Sequence, residues 1–275
     1  MRPGFAARPL TRALNRTSIP VNAGERPPAT VVEDRAPRRW LLEWGAVEPL
    51  DNMMWHAMNG PQRNLAEGGE LAKRYPSDVG PFCAVPDEPT GEHFDALRTL
   101  VGPGNVATIL RGELRPPEDW EVLGTIDAVQ MIGPSELVNG ADDARIATLG
   151  VDDVEEMMSL TSRTKPGPFA RRTWELGTYL GIRVDGRLVS MAGQRARTNE
   201  HVEISAVCTD EAFVGRGLGR ALILAQVNAV IKEGKLPMLH AAANNGRAIS
   251  LYEFLGFHLR RPIGGLIVRA PLAVP

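Results

Sequence analysis

Three glycines, Gly215, Gly217 and Gly219, alternate with Arg216 and Leu218 just ahead of an apolar run that starts near Arg220. Glycine lets a backbone turn at positive φ and approach a ligand closely. The run that follows places Leu222, Ile223, Val227, Val230 and Ile231 at helical spacing and stops at Gly234. A helix start carries unpaired N–H groups and a partial positive charge. A glycine loop leading into such a start is a seat for a phosphate or pyrophosphate, and Arg216 and Arg220 add countercharge. Taken alone, the loop is equally an ordinary glycine turn.

The elements around the loop narrow the choice. Residues 202–208 read as a strand before it, 237–242 as a strand after the helix, and 245–255 as a short helix stopped by Gly256. Upstream, 145–149 reads as a strand, and Asp152 with Glu155 makes a capping-box-like start to a helix through Thr161. Lys165-Pro166-Gly167-Pro168 forces a loop. Residues 179–184 and 188–192 form two apolar-rich strands, and Asp185-Gly186 between them suits a type I′ hairpin turn. Residues 257–261 and 266–269 read as a closing pair of strands.

The first half also alternates strands and helices. Asp51 is placed to cap a helix through Met54, Trp55 and Met58 and on toward Leu65; 82–85 is a short strand. Thr90 caps a helix carrying Phe94, Leu97 and Leu100 that ends at Gly102-Pro103-Gly104. Residues 106–110 are a strand, and 120–132 are one or two more. No catalytic spacing occurs here, and Trp40, Trp44, Trp55 and Trp120 read as core or interface. The polar stretch 135–143 separates an N-terminal α/β domain, 40–134, from a C-terminal domain, 144–275. Residues 1–39 carry Arg2, Arg8, Arg12 and Arg16 before the first acidic residue, Glu25. That pattern faintly resembles a transit peptide, but proline breaks it and a disordered tail is the expectation.

Composition bounds the function. A chain of 275 residues suits one large or two modest domains. A net charge of −2 gives no field for nucleic acid. No apolar run approaches the ~20 residues of a membrane helix. Two cysteines are too few for a disulfide framework, so a reducing cytoplasm is the expected setting. The five histidines show no metal-ligand spacing, and no metal is expected.

At this point order and motif coincide with a known family. The window Val214-Gly215-Arg216-Gly217-Leu218-Gly219 resembles the Gln/Arg-x-x-Gly-x-Gly/Ala phosphate loop of GNAT-type acyl-CoA N-acyltransferases, with Val214 departing at the first position. Asn245-Gly246-Arg247-Ala248-Ile249-Ser250-Leu251-Tyr252, followed by Gly256-Phe257, is similar to that family's Asn-x-x-Ala-x-x-Leu-Tyr-x-x-x-Gly-Phe ending. The FR47-like branch, akin to glycine N-acyltransferases, is the nearest flavour. The resemblance covers about 145–269 and implies an α/β (α+β) GNAT fold: a mixed, mostly antiparallel sheet flanked by helices. The N-terminal half is compatible with the degenerate second copy that some members carry.

The resemblance also implies roles. The coenzyme would lie where the strands at 202–208 and 237–242 splay apart, on the freed amides of Val207, Cys208 and Thr209. Its pyrophosphate would sit on the amides of Gly215, Arg216, Gly217, Leu218, Gly219 and Arg220. Asn245 would bind the pantetheine arm or cap its helix. Tyr252 is the expected general acid for the leaving thiolate, and Glu203, at the position of the glutamate of histone-acetylating relatives, the expected base. His201 is the fallback base. Cys208 reads as a small apolar filler whose backbone matters. The implied donor is acetyl-CoA, and the implied acceptor is a small-molecule or peptide amine. Neither the acceptor's identity nor the oligomeric state is readable. Two other readings stay open: an acyl-CoA-binding sensor that has lost turnover, and a dinucleotide-dependent oxidoreductase. The second fails on spacing, because Arg220 stands where the third glycine belongs.

Overall fold

The structure is a computed structural model that describes residues 48–272. The expectations for residues 1–39, Trp40 and Trp44 lie outside the described residues. A 3₁₀ turn at Pro49–Asn52 leads into α1 (Met53–Asn59), so Asp51 precedes the helix without capping it. Then come β1 (Glu67–Gly68), β2 (Lys73–Arg74), β3 (Phe82–Ala84), α2 (Gly91–Val101), β4 (Val106–Leu110) and the long β5 (Glu121–Ile132). The second half runs β6 (Ile146–Leu149), α3 (Val154–Thr164), β7 (Tyr179–Val184), β8 (Arg187–Arg197), β9 (His201–Thr209), α4 (Leu218–Lys232), β10 (Leu236–Ala242), α5 (Gly246–Phe254) and β11 (His258–Arg269).

The strands form one sheet in the order β1-β2-β3-β4-β11-β5-β10-β9-β8-β7-β6. All neighbours are antiparallel except β3/β4 and β9/β10, and each parallel pair is joined by a crossover helix, α2 or α4. This is the mixed, mostly antiparallel α/β architecture that the motifs imply. The sheet is continuous across 135–143, because β5 lies between β11 and β10, and residues Gly45–Pro275 cluster as one compact unit. Read outward from the central antiparallel pair β5/β11, the two sides repeat one succession. Each shows an antiparallel neighbour, a parallel partner and then further antiparallel strands, two on the β11 side and three on the β5 side. β5 follows β4 in sequence yet pairs with β10 and β11, whereas β11 follows β10 yet pairs with β4 and β5.

α1 and α3 cover one face. Met54, Met58, Phe82 and Met238 pack under α1, and Met157, Leu160, Tyr179 and Met191 pack under α3. α2, α4 and α5 cover the other face through Leu97 with Ile109, Val227 with Ile204, and Leu255 with Phe257. The expected hairpin is present, with positive φ at both Asp185 and Gly186, as a type I′ turn requires. Two expectations are corrected. The helix before Lys165 starts on a box between the Gly150 amide and Asp153 Oδ2, 2.7 Å, and not on Asp152 with Glu155. The closing pair of strands is a single strand, β11, which runs through Gly264-Gly265. A Cβ on Gly265 would stand 2.9 Å from the Ile109 carbonyl, so glycine there permits close strand packing and makes no turn.

Candidate active site

β9 and β10 are paired over only three positions: Leu236 with His201, Pro237 with Val202 and Met238 with Glu203. Beyond them β10 stays with β5 and β9 stays with β8, so the two strands part. The opening coincides with a bulge in β9. The register with β8 shifts between Ser205 and Cys208, and Ala206 sits at φ 51°, left-handed backbone that a non-glycine residue adopts only under constraint. The Asp210 amide bonds to Val189 O, and Ser190 Oγ donates to Cys208 O at 2.9 Å. Alternation along the strand therefore aims the amides of Val207 and Thr209 into the opening and that of Cys208 at β8. Cys208 leaves the expected set of donors. Its thiol is buried, and burial pushes its pKa up to about 11, which fits a filler and not a nucleophile.

The glycine loop lies beside this opening. Gly215 and Gly217 both take positive φ, and Gly217 is the N-cap of α4. The first amide of the helix with a protein partner is that of Ala221, which bonds to Gly217 O. Among the described residues, the amides of residues 215–220 meet no protein acceptor. A Cβ at Gly215 or Gly217 would meet nothing within 4 Å, whereas at Gly219 it would come 3.6 Å from Thr209 Oγ1. The loop is thus open outward and packed inward against the end of β9. Arg216 lies over the Phe213 ring and Arg220 over Phe254, both exposed beside the bare amides. No acidic residue occupies the first turn.

The model of the FR47-like protein family matches residues 179–262, the span from β7 into β11. A protein of Novosphingobium aromaticivorans DSM 12444, described as a GNAT-family acetyltransferase, aligns with a TM-score of 0.73 and 35% identity over 81% of this chain and 98% of its own. The chain belongs to the GNAT family of acetyltransferases. A GCN5-related N-acetyltransferase from Kribbella flavida shares the fold at a TM-score of 0.53 and 15% identity, over 80% of this chain and 93% of its own. The mycothiol acetyltransferase of Kocuria rhizophila is 46% identical over 56 residues, 20% of this chain, and the match spans only 18% of that protein's length.

In this GNAT protein Tyr252 sits on α5, 9% exposed, in the cluster with Ile204, Ile223 and Leu239, its ring tilted against Phe257. Among the described residues no protein group bonds its hydroxyl. Burial raises its pKa, so the hydroxyl keeps its proton at neutral pH. Asn245 caps α5: its Oδ1 accepts from the Ala248 amide at 3.1 Å, which leaves only its side-chain NH₂ for another partner.

The two expected bases are corrected. Glu203 is 1% exposed, and its carboxylate is fully engaged. Arg195 grips both oxygens, through Nε at 3.0 Å and through Nη2, and His240 Nδ1 lies 2.8 Å from Oε1. Burial alone would raise its pKa, but the charge of Arg195 and the His240 ring override it and hold the carboxyl at about 2. A carboxylate so placed is a poor proton acceptor. His201 lies at the paired end of β9, away from the opening, and burial lowers its pKa.

Sequence reasoning missed a polar chain through the sheet interior. His240 Nε2 meets Gln130 Nε2 at 3.0 Å. The Gln130 orientation is fixed, because its NH₂ donates to Leu50 O at 3.0 Å and its Oε1 accepts from Arg260 Nη1 at 2.7 Å. In this contact the Gln130 NH₂ donates and His240 Nε2 accepts, so the imidazole carries its proton on Nδ1, toward Glu203. Arg260 in turn binds Asp51, 2.7 Å. The available signal was polar residues inside otherwise apolar strands: Gln130 in β5, Arg195 in β8, His240 in β10.

Proposed function

We propose that this chain transfers an acetyl or other short acyl group from acyl-CoA to a primary amine by direct attack in a ternary complex. The observation that carries the reading is the conjunction of two sets of bare amides: Val207 and Thr209 at the parting of β9 and β10, and residues 215–220 at the start of α4. Acetyl-CoA, the donor, supplies the activated acyl group. The α4 amides, with Arg216 and Arg220, hold its diphosphate. The amides of Val207 and Thr209 bind the pantetheine arm and the thioester oxygen, where preorganised donors matter most. The free NH₂ of Asn245 faces the same arm. Tyr252 gives its hydroxyl proton to the departing sulfur and takes back the proton that the attacking nitrogen sheds, so the hydroxyl is restored and the step balances. No carboxylate serves as base, and the acceptor reaches the site as the uncharged amine.

Amine-dependent release of CoA thiol from acetyl-CoA, measured with purified protein across a panel of primary amines, tests the reading. Release with at least one amine is the expected outcome. Tight acetyl-CoA binding without release for any amine would instead favour the sensor reading.

A further inference from the structure

A nearly closed crevice of about 10 Å³, room for a single oxygen-sized atom such as a carbonyl oxygen, lies at the β9 bulge, lined by the 166–168 loop, Thr173, Tyr179, Arg195, Ser205 and Ala206. It adjoins the stretch of β9 that leads into the opening. Among the described residues Arg195 is the one charged residue that lines it. Its Nε and Nη2 are spent on Glu203, whereas Nη1 bonds no described protein group, and the side chain is 14% exposed. The guanidinium lies 4.8 Å over the Phe82 ring and is held from behind by Glu203, which is held by His240, which is held by Gln130. A side chain with ample rotamer freedom is thereby fixed with its Nη1 unspent at the crevice that it lines.

We infer that Arg195 is the acceptor-specificity residue, and that the acceptor carries an uncharged carbonyl oxygen beside its amine, as an amino-acid amide or the α-amine of a peptide does. The inference rests on the acetyl-transfer reading and narrows it. The argument against a carboxylate is charge. Arg195 and Glu203 already form a neutral buried pair, and no second cation lines the crevice. A carboxylate on Nη1 would bring a second anion to one guanidinium and lose its hydration without compensation. A carbonyl accepts the same N–H donors at no such cost. His240 and Gln130 are positioning residues: Gln130 cannot pass a proton, so the chain orients Arg195 and relays nothing.

The test compares thiol release for glycinamide, glycine and ethylamine at equal concentration of uncharged amine. The chains compared are the wild type and Arg195→Met/Glu203→Gln. The double change removes both charges together, and the new glutamine still accepts from His240, so the fold has no orphaned buried anion. In the wild type glycinamide should exceed ethylamine about tenfold in kcat/KM, mostly through KM, as one hydrogen bond from a charged donor supplies. Glycine should trail both. The variant should lose the glycinamide advantage yet keep the ethylamine rate and acetyl-CoA affinity. An amide preference that survives in the variant, or glycine outrunning glycinamide in the wild type, overturns the inference while acetyl transfer stands. Failure of every amine to release thiol overturns acetyl transfer itself, and this inference with it.

Discussion

The crossover units β9–α4–β10 and β3–α2–β4 share a frame: a strand, a helix and a parallel strand, flanked by antiparallel neighbours on both sides. Their helix starts differ. α2 opens on a reciprocal box in which His93 Nδ1 accepts from the Thr90 amide at 2.8 Å, and Glu92 adds negative charge to its first turn. α4 opens on Gly217, with no side-chain cap, no acid and a row of bare amides. The exits differ as well. β10 is followed by α5, which carries Tyr252, whereas a loop containing Pro116-Pro117 follows β4. The same topology thus yields a closed unit or an anion seat according to about a dozen residues at one end of the strands. A self-satisfied helix start has nothing left to offer a ligand.

The largest expected effect isolates the exit. Tyr252→Phe should cut kcat by roughly 10²-fold or more while acetyl-CoA affinity, read by calorimetry, barely moves. Unchanged turnover would remove Tyr252 from the chemistry and reduce that difference between the units to packing. Gly217→Val comes next. It places a branched side chain in the open space of the loop and forces a left-handed φ on it, at about 1–2 kcal/mol. Acetyl-CoA affinity should fall beyond detection in calorimetry while the thermal midpoint drops only slightly. Gly91→Val, at the matching start of α2, should leave affinity alone; equal losses in the two variants would erase the contrast.

A third expectation concerns pH. The Glu203 carboxyl titrates at about 2 in the folded chain, below the unfolded value of about 4.3. The folded state therefore binds fewer protons in that window. The stability Glu203 contributes is complete above the unfolded value and is lost as pH falls through about 2. β3 and β4 contain no carboxylate. Amide exchange measured at falling pH should loosen β8–β10 before β3–β4, and Glu203→Gln should flatten that difference. Uniform loosening would assign acid sensitivity elsewhere. The smallest effect is Thr90→Ala, which should cost about 1 kcal/mol in denaturant unfolding and nothing in acetyl-CoA binding.

Legibility in the sequence followed the range of the forces. Local signals read well: Asp185-Gly186 made its hairpin, Thr90 its cap, and the glycine loop led into a helix that starts at Leu218, close to the expected Arg220, because turn chemistry and capping involve neighbours in the chain. The placement of β5 between β10 and β11 did not read, since strand order depends on contacts between residues more than 100 positions apart. The same holds for Glu203. Its strand was legible, yet its partners Arg195 and His240 come from two other strands, and only their approach turned an expected base into a locked anion. The expected break between 261 and 266 is absent because Gly264-Gly265 lets β4 and β5 press on β11 from both sides, which only distant strands decide.

The exchange of long strands at the centre ties the two halves together. β5 completes the neighbourhood of β10, and β11 completes that of β4. Severing the backbone between β5 and β6 would leave each fragment with a bare strand edge where its counterpart belongs, a template for pairing with other chains. A substitution that loosens β5 in the N-terminal half is therefore felt at β10, along the edge of the opening.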